Sequence, residues 1–152
     1  KQLQNFKAGT RVNALMAPMA AGLADQDMAD LAEYYSQQKG SIGGANKELV
    51  ELGQKIFRGG KKEIGLTACS GCHGPAGKGN TFAAFPRLSG QHAEYTANQL
   101  KMFRAAGRDD LTGDRRDNDG AKPGDLGPMQ MIAAKLSDKD IQALASYIQG
   151  LH

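Results

Sequence analysis

The feature that most restricts this chain is a pair of cysteines separated by two residues, Cys69 and Cys72, with His73 directly after the second. This spacing is used for the attachment of c-type haem. Each thiol can add to one vinyl group of the porphyrin, and the histidine is then placed under the iron as its proximal ligand. The pattern therefore predicts a covalently bound haem c, one per chain from this motif.

Three other uses of two close cysteines fit the sequence less well. A dithiol redox pair is expected beside a βαβ pattern, and no strand-like alternation flanks residues 66–76. A zinc site would need a second Cys or His pair at finger-like spacing, which does not follow. A disulfide across so short a loop would add little stability.

Composition supports a small helical protein built around a large cofactor. The 152 residues are 40% hydrophobic and 6% aromatic, with no tryptophan, which predicts a thin core that a buried haem would complete. No apolar run approaches the roughly 18 residues of a membrane span, so we expect a soluble protein. A net charge of +3 without a basic stripe argues against nucleic-acid binding, and Lys61 and Lys62 are expected to be solvated. Thioether attachment of haem implies export, and hence the bacterial periplasm or the outer face of a membrane.

Apolar residues recur at helical spacing along most of the chain, which predicts an all-α fold. The predicted helices end before Gly9, begin near Asp25, and cover about residues 49–59, 92–106 and 137–149. Residues 38–46 are predicted to be a flexible linker because they are rich in glycine and polar residues. Residues 107–127 are charged and Gly-rich and are predicted to form an exposed loop.

The chain contains an internal repeat. Residues 2–9 match residues 99–107 with one insertion, and residues 16–27 match residues 129–140 without a gap. We therefore predict that residues 1–37 are the C-terminal half of a first unit, that 38–46 link the units, and that 47–152 form a complete unit. The front half of the first unit, with a haem motif and a second haem of its own, would be missing from a truncated chain. The absence of a starting methionine at Lys1 favours that prediction.

The repeat also indicates the second axial ligand. A methionine opposite the histidine favours reduced iron. Met129 follows the predicted loop, and Gly127 and Pro128 give it a rigid, non-helical approach. It matches Met16 in the repeat, whereas Met131 matches Pro18, so Met129 is preferred over Met131. Met16 would be the corresponding ligand of the first unit, although its own unit has no haem motif here.

Four groups of residues together resemble class I cytochromes c, and the repeat makes the chain similar to the di-haem cytochrome c4 family. They are Cys69-x-x-Cys72-His73-Gly74, Phe85-Pro86-x-Leu88-x-Gly90-Gln91, Tyr95-x-x-x-Gln99-Leu100-x-x-Phe103, and Met129 followed by Leu136-Ser137-Asp138 and Ala145-x-Tyr147. The resemblance implies two His/Met haem domains related by approximate two-fold symmetry.

The resemblance also implies residue contacts and partners. The Pro86 carbonyl would accept the His73 ring N–H, and Gly53 and Phe57 would cross the last helix near Leu144 and Tyr147. Family members are periplasmic and often membrane-associated. They accept electrons from an upstream quinol-oxidising complex and deliver them to a terminal oxidase or reductase.

The sequence therefore predicts a one-electron carrier with no catalytic acid, base or nucleophile. Two alternatives remain open from the residues alone. A haem with an open sixth position could act as a peroxidase-like or gas-binding enzyme. The chain could also be the cytochrome subunit of a larger dehydrogenase or oxidase.

Overall fold

The computed structural model describes residues 1–38, 40, 43–117 and 125–152. The predicted linker and loop thus lie partly outside the described residues. Within these residues extended pairing is limited to two isolated bridges, Lys61 with Leu66 and Asn80 with Phe85, so the all-α prediction is confirmed. The helices are α1 (Gln2–Lys7), α2 (Met16–Ala21), α3 (Asp25–Ser36), α4 (Val50–Gly59), α5 (Ser70–His73), α6 (Ala93–Gly107), α7 (Pro128–Ala133) and α8 (Asp138–Gln149), with a 3-10 turn at Lys62–Ile64.

The core of the second unit forms where α4 and α6 pack against α8. Phe57 of α4 is completely buried, and its ring centroid lies 5.4 Å from that of Tyr147 on α8. The two helices approach so closely at Gly53 that a Cβ there would lie 2.3 Å from the Ala143 carbonyl oxygen. The crossing of Gly53 and Phe57 with the last helix, which the resemblance implies, is present in the structure.

Three short helices, α2, α5 and α7, were not predicted, and the non-helical approach to Met129 was wrong. Gly127 has an extended conformation and serves as the N-cap of α7, but Pro128 is already the first helical residue. Proline favours that position because its fixed φ suits the helix and its missing N–H would have no helical partner there. Met129 is therefore a residue of the first turn of α7.

The repeat is preserved in three dimensions. Helix α1 packs against α2 and α3, as α6 packs against α7 and α8. Lys7 Nζ donates to the Leu23 carbonyl at 2.6 Å, and Arg104, at the matching position, donates to the Leu136 carbonyl at 3.2 Å. The two units therefore share both packing and polar contacts over the matched segments.

The two units differ in how far the last helix of each is exposed, on the face that α4 covers in the second unit. Tyr147 on this face is 7% exposed, whereas Tyr34, at the matching position of α3, is 59% exposed. Tyr35 beside it is also exposed, and its ring stands edge-on to that of Tyr34 at 5.4 Å. Helix α3 thus presents to solvent the apolar face that its counterpart buries.

A polar cluster joins the two units. Arg11 donates to Gln2 of its own unit and, at 3.2 Å, to Gln99 of the other; Arg116 donates to Gln99 and, at 3.5 Å, to Gln2. Each guanidinium also lies over a phenylalanine ring of its own unit, Arg11 over Phe6 at 4.6 Å and Arg116 over the matching residue of α6 at 4.7 Å. Each arginine therefore contacts the glutamine of its own unit and the glutamine of the other unit, so the two units make the same kind of contact across the junction.

The described residues 43–46 lie against α8. The Asn46 N–H donates to Ser146 Oγ at 2.7 Å, and Gln149 Nε2 donates to the Gly44 carbonyl at 3.3 Å. None of the helices in the described part of the chain has the length and apolar character needed to cross a membrane.

The start of α8 is capped by two reciprocal hydrogen bonds. Asp140 N–H donates to Ser137 Oγ at 3.2 Å, and Ser137 N–H donates to Asp140 Oδ2 at 3.1 Å. Lys61 Nζ lies 2.8 and 3.0 Å from the two carboxylate oxygens of Asp140. The expectation that Lys61 is solvated was therefore wrong, because Asp140 is only 3% exposed and Lys61 is its cationic partner.

We expect this carboxylate to contribute to acid stability. Burial by itself would raise the pKa of Asp140, but hydrogen bonds from Lys61 and Ser137 outweigh it and lower the pKa. Its contribution to stability is therefore complete above the unfolded-state pKa of about 3.9 and is lost as the pH falls through the lower folded-state pKa. In Asp140→Asn, denaturant unfolding between pH 3 and pH 7 should show a flatter acid limb. Asp25→Asn, an exposed first-turn carboxylate on α3, is the control and should retain the wild-type slope.

Candidate haem-attachment site

The two cysteines lie on a single helical turn. Cys69 is the N-cap of α5, and the His73 N–H donates to the Cys69 carbonyl at 2.9 Å. Cys69 and Cys72 are three residues apart, so they lie on the same side of this turn. Both are partly buried free thiols, and burial raises the pKa of Cys69 to about 11. The two thiols thus lie where each could add to one vinyl group of the same porphyrin.

The His73 ring is buried and held in one orientation. It is 6% exposed, and its Nδ1 lies 2.9 Å from the Pro86 carbonyl oxygen. A carbonyl oxygen only accepts, so Nδ1 carries the proton and Nε2 keeps a free lone pair. The Phe85 ring lies beside it with centroids 6.2 Å apart. The contact implied by the resemblance is present, and it leaves Nε2 available to coordinate a metal.

Residues 74–89 form the loop that brings Pro86 to the histidine. Gly79 N–H donates to the His73 carbonyl at 2.9 Å, and Leu88 N–H donates to the Gly77 carbonyl at 2.7 Å. Gly79 has φ +76°, and a Cβ there would lie 2.5 Å from the Phe85 carbonyl oxygen. Only glycine allows this approach without a shift of the backbone. The conformation of this loop therefore places the Pro86 carbonyl oxygen where it accepts the hydrogen bond that orients the His73 imidazole.

Of the candidate methionines, Met129 has the position best suited to a ligand. It is half-buried and packs against the core of the second unit, as Cys69 also does. Met131 is 50% exposed two residues further along α7. Met16 is half-buried at the start of α2, in the unit whose described residues contain no cysteine.

Gln130 is a buried residue of this site that sequence reasoning missed. Its Oε1 accepts the Gly127 N–H at 2.6 Å, and its Nε2 donates to Asp117 Oδ1 at 2.8 Å. It thus caps α7 and ties the adjacent loop to it. A glutamine three residues after a helix start is a capping-box signal that could have identified it.

These residues fit haem c as a donor set. They comprise two unpaired thiols on one turn, an imidazole with its Nε2 available, and a half-buried thioether on the same core as one of the thiols. Two thioether bonds with histidine and methionine axial ligands are the ligation of c-type electron carriers.

Comparisons with known proteins agree with this chemistry. The Cytochrome c family model matches residues 50–152. Cytochrome c4 of Azotobacter vinelandii is 50% identical over 161 residues, which cover 100% of this chain and 71% of that protein. The crystal structure of reduced recombinant cytochrome c4 from Pseudomonas stutzeri superimposes with a TM-score of 0.86 at 49% identity, covering 99% of this chain and 78% of that one.

A more distant relative is named after the enzyme from which it accepts electrons. A protein of Stutzerimonas stutzeri named thiosulfate dehydrogenase electron acceptor is 38% identical, over 97% of this chain and 63% of its own length.

Proposed function

Because this chain belongs to the cytochrome c4 family, we propose that Cys69 and Cys72 carry its haem c and that His73 and Met129 are the axial ligands. Membership fixes several properties directly. The chain has the class I cytochrome c fold, binds haem covalently, and is an electron-transfer protein rather than an enzyme. The predictions of fold, cofactor and electron transfer are thereby confirmed, and the enzyme alternative is set aside.

The hydrogen bond between His73 Nδ1 and the Pro86 carbonyl carries the assignment of the proximal ligand. When bound, the haem supplies a one-electron couple between ferrous and ferric iron. The chain contributes an imidazole of fixed tautomer, whose basicity the Pro86 carbonyl increases. Since the ring is buried and its orientation is set by residues 74–89, little rearrangement is needed when the iron changes charge.

Burial supports the assignment of Met129 as the distal ligand. A sulfur ligand must face the haem, and Met129 packs against the core that Cys69 also contacts. Met131, by contrast, is half exposed to solvent. The Gln130 cap fixes the start of α7, so Met129 sits on a short rigid element instead of a loose loop.

The attachment proposal is tested by haem retention under denaturing extraction. The wild-type chain should keep one haem after acid–acetone treatment and show the corresponding intact mass, because thioethers survive unfolding. The double variant Cys69→Ser, Cys72→Ser should release all of its haem, since the chain has two cysteines. Ser70→Ala, on the same turn, is the matched control and should retain haem. Haem that stays covalently bound in the double variant would contradict the proposal.

The repeat supports the proposed organisation into a partial and a complete unit. Residues 1–37 correspond to the back half of a cytochrome domain, residues 38–46 to a linker, and residues 47–152 to a complete domain. Support comes from the contacts shared by α1–α3 and α6–α8 and from the start of the family match at residue 50. Met16 would then ligate a second haem only where a front half of the first unit is also present. The same intact-mass measurement counts the haems of this chain.

Electron-transfer cytochromes work with redox partners, and the specific ones are part of this proposal. We place the protein in the bacterial periplasm, with peripheral association with a membrane, between a quinol-oxidising complex and a terminal oxidase or reductase. The similarity to a thiosulfate dehydrogenase electron acceptor favours a second donor, a thiosulfate-oxidising enzyme. Stopped-flow reduction of the oxidised protein by each purified donor distinguishes them, because the physiological donor reduces it much faster.

A further inference from the structure

The segment that leads into the cysteine motif is a tight turn. Lys61 and Leu66 exchange two backbone hydrogen bonds, of 3.0 and 2.9 Å, and close a loop that ends three residues before Cys69. Leu66 is buried in the core of the second unit. The position of this turn therefore sets where the attachment segment starts.

Two lysine contacts connect this turn with residues that follow α7. Lys61 Nζ binds both carboxylate oxygens of Asp140, at 2.8 and 3.0 Å, in the first turn of α8. Lys135 Nζ, two residues beyond α7, donates to the Gly65 carbonyl at 2.7 Å. One contact thus ends in the first turn of α8 and the other just after α7, and we refer to the two together as the lysine clamp.

Comparison with the first unit shows that helix capping alone does not require the clamp. Asp27 of α3, which matches Asp140, accepts the Ala24 N–H at 2.7 Å and is exposed. The residue that matches Lys135 is Gly22. Asp27 thus caps its helix without an ion pair, and the positions that would match Lys61 and Gly65 belong to the front half of the first unit, which this sequence does not include.

Building on the ligation proposed above, we propose that the lysine clamp positions the haem-attachment segment against the methionine-bearing segment. Met129 lies on α7, six residues before Lys135. The clamp therefore connects the two segments that would hold the haem: one end lies at the entry to Cys69 and the other follows the segment that carries Met129. Lys61 and Asp140 are positioning residues, because neither is itself a ligand.

Loss of Lys61 should weaken the clamp more than loss of Lys135. Removing one partner of a buried ion pair leaves the other charge without compensation, which costs far more than removing an exposed contact. Asp140 is almost completely buried, whereas Lys135 is exposed and contacts a single carbonyl oxygen.

The test uses oxidised holoprotein of Lys61→Met, with Lys62→Met, an exposed neighbour, as control. Amide hydrogen exchange at Leu66 should accelerate about tenfold in Lys61→Met, because opening of the turn becomes easier. Cyanide should bind the ferric iron more tightly by a similar factor, since it competes with Met129, and the near-infrared methionine-to-iron band reports that displacement. Lys62→Met should match the wild type in both measurements.

The possible outcomes distinguish a failure of the lysine-clamp proposal from a failure of the Met129 assignment on which it rests. An intact methionine band with wild-type exchange and cyanide affinity in Lys61→Met would overturn the clamp alone. Absence of the band in the wild type would overturn the Met129 assignment. Should Lys61→Met fail to accumulate as holoprotein, Lys135→Met decides by the same two measurements, and an unchanged Leu66 exchange there would overturn the clamp.

Discussion

Replacing Met129 with alanine is expected to lower the reduction potential by on the order of 0.2 V, a fraction of the ≈ 0.8 V over which axial ligands set haem potentials. The thioether sulfur stabilises ferrous iron, so its loss favours the ferric state. The near-infrared methionine-to-iron band should disappear, and the ferric protein should bind cyanide readily. Spectroelectrochemical titration and cyanide binding measure both effects.

Met131→Ala is the matched control for this experiment. It removes the same side chain from the same helix, at a position that is half exposed to solvent. We expect a potential and spectrum close to those of the wild type. If the roles of the two variants were exchanged, with the band lost only in Met131→Ala, the axial ligand would have to be reassigned.

Replacing Gly53 with alanine is expected to cause a large loss of stability. The new Cβ would lie 2.3 Å from the Ala143 carbonyl oxygen and 2.6 Å from Tyr147 Cβ. Helices α4 and α8 would have to move apart, and overpacking of this kind costs about 1–3 kcal/mol or more. The free energy of unfolding in guanidinium chloride, followed by far-ultraviolet circular dichroism, measures the loss.

Gly59→Ala provides the control on the same helix. No heavy atom lies within 4 Å of a Cβ built there, and the residue closes α4. Alanine has a higher helix propensity than glycine, so the stability should be unchanged or slightly higher. Equal losses in the two variants would show that the close crossing at Gly53 does not limit stability.

The sequence allowed much of this structure to be predicted, because its strongest signals are local. The Cys69–His73 spacing identifies the cofactor, and α1 and the four helices of ten or more residues follow from apolar periodicity and from caps such as Ser137. The family comparisons confirm the fold and the cofactor class. The repeat placed Met129 in register with Met16, and both lie in the first turn of a short helix in the structure.

What could not be predicted depends on contacts between distant residues. The partner of Lys61 lies 79 residues away, and a lysine pair in a turn gives no local sign of a buried carboxylate. Helix α7 was missed because a glycine and a proline suggested a break, although proline also suits a first helical turn. The position of Gln130 depends on Asp117 in the preceding loop.

The cluster of Arg11, Arg116, Gln2 and Gln99 has a consequence for how the two units remain together. Each unit offers an arginine and a glutamine and receives the same pair in return, which is the pattern of an isologous contact. The connecting segment therefore need not dictate the geometry: it keeps two self-complementary surfaces at high effective concentration, and the surfaces select their own alignment.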